Sequence, residues 1–190
     1  MKSFEPFLLP GLWAIWLIYW IVAALGAKQT KRLESGLSQL SHLVPVVFGG
    51  VLLGAPDFLG DFLQQRFLPQ TAAWFWIGTA LTAAGLGFSI VARIWLGRNW
   101  SGLVTLKQGH ELIRIGPYAW VRHPIYTGLL LALIGTAIAV GKWRALLGLA
   151  LIIVGVVRKI GIEERFLSEQ FGDDYKRYRA EVPALVPYLL

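Results

Sequence analysis

Apolar residues fall in long runs along this chain, separated by short polar segments. The run over residues 7–26 is rich in Trp and Tyr, and about 20 apolar residues suffice to cross a bilayer as a helix. No small-residue cleavage site is obvious, and the run is long for a signal-peptide core, so it reads as a first span. Residues 28–41 form a polar loop carrying Lys28, Lys31 and Arg32. A weaker second span covers 42–60, with Pro45 near its start, Pro56 inside it and Asp57 near its end. A connector, 61–70, leads to a clear third span over 71–96, whose Gly78, Ala83, Ala84, Gly85 and Gly87 suit close helix packing. The longest polar insertion, 97–123, follows. Pro124–Val140 is a fourth span and 145–157 a fifth apolar run; the tight turn 141–144 joins them into a helical hairpin. Residues 160–171 continue as an amphipathic helix with Gly172 as its C-cap. A further short helix, 173–182, is stopped by Pro183 and Pro187. The pattern predicts an all-α polytopic membrane protein with about five transmembrane helices and a C-terminal helical tail. It forms one membrane-embedded domain over 1–190, with three spans in 1–96 and a catalytic half in 97–190.

Composition supports the pattern. Hydrophobic residues make up 56% of the 190 and charged residues only 15%, against about 25% charged in soluble globular chains. Nine Trp suit rings anchored at the two membrane interfaces. The net charge of +7 reads as positive-inside topology and contact with anionic membrane lipid, not as nucleic-acid binding. Five spans put the termini on opposite sides. With the C-terminus cytoplasmic, only Lys2, Arg66, Lys142 and Arg144 of the eighteen Lys and Arg fall outside. That asymmetry favours this orientation, although Lys142 and Arg144 contradict it locally. Cysteine is absent, which excludes a disulfide framework, a thiol nucleophile and a thiolate metal site. His42, His110 and His123 are too scattered to read as a metal site, so no metal is expected.

This topology places the insertion 97–123 and the tail 158–190 on one face of the membrane. The densest polar chemistry there is Gly116–Gly128, GPYAWVRHPIYTG. Pro124 fits the first turn of a helix. Arg122 and His123 would then sit at the helix mouth, where free N–H groups and the positive dipole end suit an anion. Each group also has a plain reading. Arg122, His123, Tyr118, Trp120 and Tyr126 would serve as interfacial anchors. Glu163 and Glu164 would be a solvated helix face, and Lys159 with Glu163 a surface pair worth about 0.3 kcal/mol. Convergence of all these groups on one membrane face favours a site.

The joint pattern resembles the isoprenylcysteine carboxyl methyltransferase family. It comprises Gly109-His110-Glu111-Leu112-Ile113, Gly116-Pro117-Tyr118, Arg122-His123-Pro124-Ile125-Tyr126-Thr127-Gly128, Glu163-Glu164, and Phe171-Gly172 with Tyr175 and Tyr178. The resemblance covers about 99–187 and is shared more loosely with membrane phospholipid methyltransferases. It implies an integral membrane enzyme using S-adenosylmethionine. His110, Glu111, Leu112 and Ile113 would line the cofactor, largely through backbone, and Tyr118, His123, Pro124, Ile125 and Tyr126 would contact it. Glu163 matches a glutamate on the substrate side. Where the family tends to carry Arg four residues earlier, this chain has Lys159, with Arg158 adjacent. Lysine cannot make the planar two-pronged bond to a carboxylate, so the acceptor stays open.

Methyl transfer from a sulfonium is an in-line displacement that needs alignment rather than a metal. A carboxylate acceptor needs no base, whereas an amine or thiol does. Arg122, Lys159 and Glu163 are the expected catalytic residues. Lys159 or Arg158 would face an acceptor carboxylate, and Arg122 the cofactor's own. The expected partner is a lipophilic small molecule or lipid-anchored substrate that enters from the inner leaflet to a cytoplasm-facing site. Two other classes remain: a membrane reductase using a nicotinamide cofactor, and a non-catalytic lipid-binding or scaffolding protein. The latter predicts no affinity for S-adenosylmethionine and no effect of changing His123.

Overall fold

A computed structural model of the chain describes residues 5–25, 30–54, 60–100, 105–107 and 111–187. Its helices are α1 (Glu5–Ala24), α2 (Gly36–Gly54), the short α3 (Asp61–Gln64), α4 (Ala72–Leu96), α5 (Pro124–Val140), α6 (Trp143–Phe171) and α7 (Asp173–Glu181). Two short strands, β1 (Thr30–Leu33) and β2 (Thr105–Lys107), pair antiparallel. They tie the segment before α2 to the insertion after α4. α1, α2, α4 and α6 are long and apolar enough to cross a membrane, and α5 is a shorter apolar helix. Its 17 residues give about 25 Å at 1.5 Å per residue.

Three expected boundaries shift. The second span begins at Gly36 and ends at Gly54, not 42–60. Ser35 caps it by accepting the Ser38 N–H at 3.4 Å, so the helix starts inside the stretch read as a polar loop. Pro56 and Asp57 lie outside the described residues. The fifth run and the amphipathic segment after it are one 29-residue helix, α6, because no proline interrupts the sequence from Trp143 to Phe171. α6 ends at Gly172 in a positive-φ conformation, φ 53°, as a glycine C-cap should.

The helices pair through glycines. A Cβ on Gly85 would lie 2.5 Å from the Gly128 carbonyl oxygen, and one on Gly78 would lie 2.4 Å from that of Gly135. α4 and α5 are therefore antiparallel and nearly touch along their backbones. Between α2 and α6, Gly49 meets Gly148 and Gly155 meets the His42 carbonyl in the same way. Lipid offers no hydrophobic drive for helix association, so such close packing supplies it. Thr82, buried in the α4–α5 seam, donates to the Gly78 carbonyl and reaches Ala132 and Thr136 across it. Ala83, Ala84 and Gly87, expected at the seam, are exposed instead. They sit on the α4 face turned away from α5.

Trp13 and Trp16 are not interfacial rings. Their indole N–H groups donate to Thr136 Oγ1 at 3.1 Å and Ser89 Oγ at 2.9 Å, which pins α1 to the bundle. Arginines close helix ends. Arg93 donates to the Ala23 carbonyl at the end of α1. Arg144 donates to the Leu52 and Leu53 carbonyls at the end of α2, at 2.7 and 2.6 Å. A helix leaves its last four carbonyls unpaired, and Arg144 satisfies two of them. Arg144 is thus engaged in capping α2. Lys142 donates to Gln64 Oε1 at 3.0 Å in the same corner.

Candidate active site

The other end of the bundle holds the chemistry. There α1 and α4 finish, α5 begins, and the last turns of α6 meet α7 around a cavity of about 240 Å³. Two indoles, Trp20 from α1 and Trp100 after α4, meet edge-to-face at 5.7 Å and border it. Glu111, Leu112 and Ile113 supply a second wall. Gly116 then turns the chain at φ 60°, with the Trp95 ring where a Cβ would stand. Only glycine meets both demands. The 3-10 turn Gly116–Ala119 that follows carries Tyr118 into the cavity. The Tyr178 hydroxyl donates to the Tyr118 carbonyl at 2.6 Å, and the Arg114 guanidinium lies 5.4 Å from the Tyr178 ring centre. Burial pushes the Tyr118, Tyr175 and Tyr178 phenols up from their ordinary values. They line the site as neutral donors and ring faces.

Pro124 takes the first position of α5, buried, and shapes its mouth without bordering the cavity. The N–H groups just before it are not open to an anion. Arg122 N donates to the Pro183 carbonyl at 2.8 Å and His123 N to that of Ala184 at 3.0 Å. Thr127 Oγ1 donates to the Leu185 carbonyl at 2.7 Å. The segment after α7 therefore straps across the start of α5.

Glu163 and Glu164 are neighbours on α6, about 100° apart around its axis, and they face different partners. Glu163 borders the cavity, accepts from the Tyr126 hydroxyl, and has Oε2 3.7 Å from His123 Nδ1. Glu164 points into the protein. Its Oε1 accepts from Arg122 Nε at 2.9 Å and Nη2 at 2.7 Å, and lies 3.3 Å from His123 Nε2. Arg179 Nε approaches its Oε2 at 3.6 Å. The remaining Arg122 nitrogen, Nη1, donates to the carbonyls of Arg179 and Val182. Arg122 borders the cavity, yet its guanidinium is committed to Glu164 and the strap, not held out for a cofactor carboxylate. Lys159, one turn before Glu163, also borders the cavity, with Nζ 5.7 Å from the Tyr126 ring centre.

Of the residues singled out in the sequence, Glu111, Leu112, Ile113, Tyr118, Arg122, His123, Ile125, Tyr126, Lys159 and Glu163 all border this cavity. His110 lies outside the described residues. Trp120 is 64% exposed, as a belt aromatic would be. Sequence reasoning missed Trp20, Asn99 and Trp100, which carry no motif, and the clamp role of Glu164, whose signal was its place beside Glu163. The lining fits a sulfonium nucleoside. Several aromatic faces and the Glu163 carboxylate suit a cation, and Leu112, Ile113 and Ile125 suit a flat base.

Residues 73–174 match the phospholipid methyltransferase family. The chain is 27% identical over 174 residues to the protein-S-isoprenylcysteine O-methyltransferase of Schizosaccharomyces pombe, covering 90% of this chain and 67% of that protein. It is 30% identical over 145 residues to protein-S-isoprenylcysteine O-methyltransferase B of Arabidopsis thaliana, covering 73% of this chain and 72% of the relative. A solved structure of a eukaryotic intramembrane Ras methyltransferase, an isoprenylcysteine carboxyl methyltransferase, superposes with a TM-score of 0.54 at 25% identity. The match covers 83% of this chain and 55% of that one. With the motif residues gathered around one cavity on this fold, the chain belongs to the isoprenylcysteine carboxyl methyltransferase family.

Proposed function

We propose that the chain is a membrane methyltransferase that carries a methyl group from S-adenosylmethionine to the carboxylate of a lipophilic, isoprenylcysteine-like acceptor. One observation carries the reading. His123 just before α5, Tyr126 on α5, and Lys159 and Glu163 on α6 face a single aromatic cavity at the end of an apolar bundle. Bound there, S-adenosylmethionine supplies an electrophilic methyl group on a sulfonium. The chain's own task is to hold donor and acceptor in line and to keep water out. Tyr126 and His123 fix the Glu163 carboxylate, which suits the cationic donor. Lys159, over the Tyr126 ring, supplies the cation for an acceptor carboxylate. That acceptor is already ionised and needs no base. Arg122 acts through Glu164 and the strap as a positioning residue. The cytoplasm-facing orientation rests on the Lys and Arg asymmetry; Arg144, which runs against it, is engaged in capping α2.

Calorimetric titration of S-adenosylhomocysteine into detergent-purified protein tests donor binding, with His123→Ala expected to weaken it. Transfer of labelled methyl to a prenylated cysteine, compared with an equally lipophilic amine, tests the acceptor. Lys159→Arg should preserve or improve carboxylate methylation. Preference for the amine would assign the chain to the phospholipid-type reaction instead, and absence of S-adenosylhomocysteine binding would remove the enzyme reading.

A further inference from the structure

A second polar cavity lies outside the methyl-transfer site, between the start of α2 and the cytoplasm-proposed end of α6. It measures about 460 Å³. Glu34, Ser35, Ser38, Arg158, Arg165 and Phe166 are among its walls. Arg158 and Arg165 are seven residues apart on α6, so they rise from one face of that helix, two turns apart. Arg158 Nε donates to Ser41 Oγ at 3.2 Å, which holds its guanidinium beside α2. Ser35 and Ser38 stand at the N-terminus of the 19-residue α2, where the dipole adds positive potential. One side of the cavity is therefore built for an anion.

The other side is not. Glu34 is buried, with its side chain only 1% exposed, and its Oε1 is 2.9 Å from His42 Nε2. Among the described residues, its Oε2 is buried with no hydrogen-bond partner. A buried carboxylate oxygen without a donor is costly and rare. A ligand that satisfied both sides would bring a donor to Glu34 and an anion to the two arginines.

We propose that this cavity binds the headgroup of an ethanolamine phospholipid, its ammonium on Glu34 and its phosphate between Arg158 and Arg165. The position suits a lipid rather than a soluble zwitterion. Just beyond the cavity, α2 presents Leu40, Leu43, Val44 and Val47, all exposed, along which acyl chains can lie. The chemistry selects the headgroup. A choline nitrogen has no N–H to give Glu34. A glycerol headgroup gives no cation, and a serine headgroup would bring a second carboxylate against Glu34.

The test is lipid retention. The protein is reconstituted in nanodiscs of phosphatidylcholine with equal minor fractions of phosphatidylethanolamine and phosphatidylglycerol, and retained lipid is read by native mass spectrometry. Wild type should retain phosphatidylethanolamine over both others. Glu34→Gln should lower that retention about tenfold, the worth of one hydrogen bond to a charged group, and leave phosphatidylglycerol unchanged. Arg158→Gln with Arg165→Gln should lower phosphatidylethanolamine retention as well. These arginines are exposed, so this variant decides the matter if Glu34→Gln fails to fold. Equal retention of the choline and ethanolamine lipids would overturn the proposal. So would preference for phosphatidylglycerol, or a folded Glu34→Gln protein with unchanged selectivity, which would leave Glu34 as an anchor for α2 alone.

Discussion

Replacing Glu164 with leucine should destabilise the protein far more than a surface charge deletion would. Glu164 takes two hydrogen bonds from Arg122, one contact from His123 and one from Arg179. The Arg122 side chain is only 8% exposed and that of Glu164 11%, so the pair sits out of water. Breaking a buried pair by removing one partner costs about 3–5 kcal/mol, because the other charge is left uncompensated. Arg122 keeps the Arg179 and Val182 carbonyls, which places the expected loss near the lower end, about 3 kcal/mol. For a chain of this size each kcal/mol moves the melting temperature by about 2–4 °C, so the shift should be on the order of 10 °C. Thermal unfolding in detergent, followed by tryptophan emission, reads it.

The double variant Glu164→Leu with Arg122→Met sharpens the test. With both charges gone, the penalty of an orphaned charge disappears, and buried pairs replaced by apolar residues are often neutral. The double variant should therefore melt above the single one. A single variant within about 2 °C of wild type would refute the buried-clamp reasoning, as would a double variant no better than the single. His123 loses its Nε2 partner in both, so both should bind S-adenosylhomocysteine more weakly.

Two further outcomes follow from the packing and the charge pattern. Gly85→Ala would put a Cβ 2.4 Å from the Ala132 nitrogen and should cost about 1–3 kcal/mol by overpacking, whereas Gly87→Ala meets no described residue within 4 Å and should be neutral to slightly stabilising; detergent melting curves of the two variants compare them. Reporter fusions placed after Glu34 and at Leu190 should both read cytoplasmic, and disagreement between them would break the shared-face topology.

The apolar runs made the helices visible, because a bilayer-crossing helix writes its length directly into hydropathy. α5 was visible to the residue, since Pro124 and Gly141 mark its ends. The start of α2 was not. Ser38, Gln39 and Ser41 look like loop, and only the Ser35 cap and the burial of the neighbouring His42 against Glu34 make them helical. Gly78 and Gly85 could be read as packing residues, but Ala83, Ala84 and Gly87 could not be told from them without knowing which face of α4 meets α5. Trp20 and Trp100 joined the site unseen because their approach depends on where α1 and α4 end, which no local spacing records.

Arg122 shows why a motif locates a site more reliably than it assigns the roles within it. In the sequence it stands beside His123 at a helix mouth, where a free cation and free N–H groups would attract an anion. In the fold, the α6 helix brings Glu164 to its guanidinium, and α7 with the strap after it brings carbonyls to its remaining nitrogen and to the N–H groups of Arg122 and His123. That part of the polar mouth is consumed by contacts within the protein. What it leaves facing the cavity is His123, held between two carboxylates. The density of polar residues around Pro124 therefore serves precision. Tyr126, Glu163 and Lys159 sit on helices whose relative position is locked at this end by one buried arginine, so the side chains that line the cavity are held in place by the same contacts that close the fold.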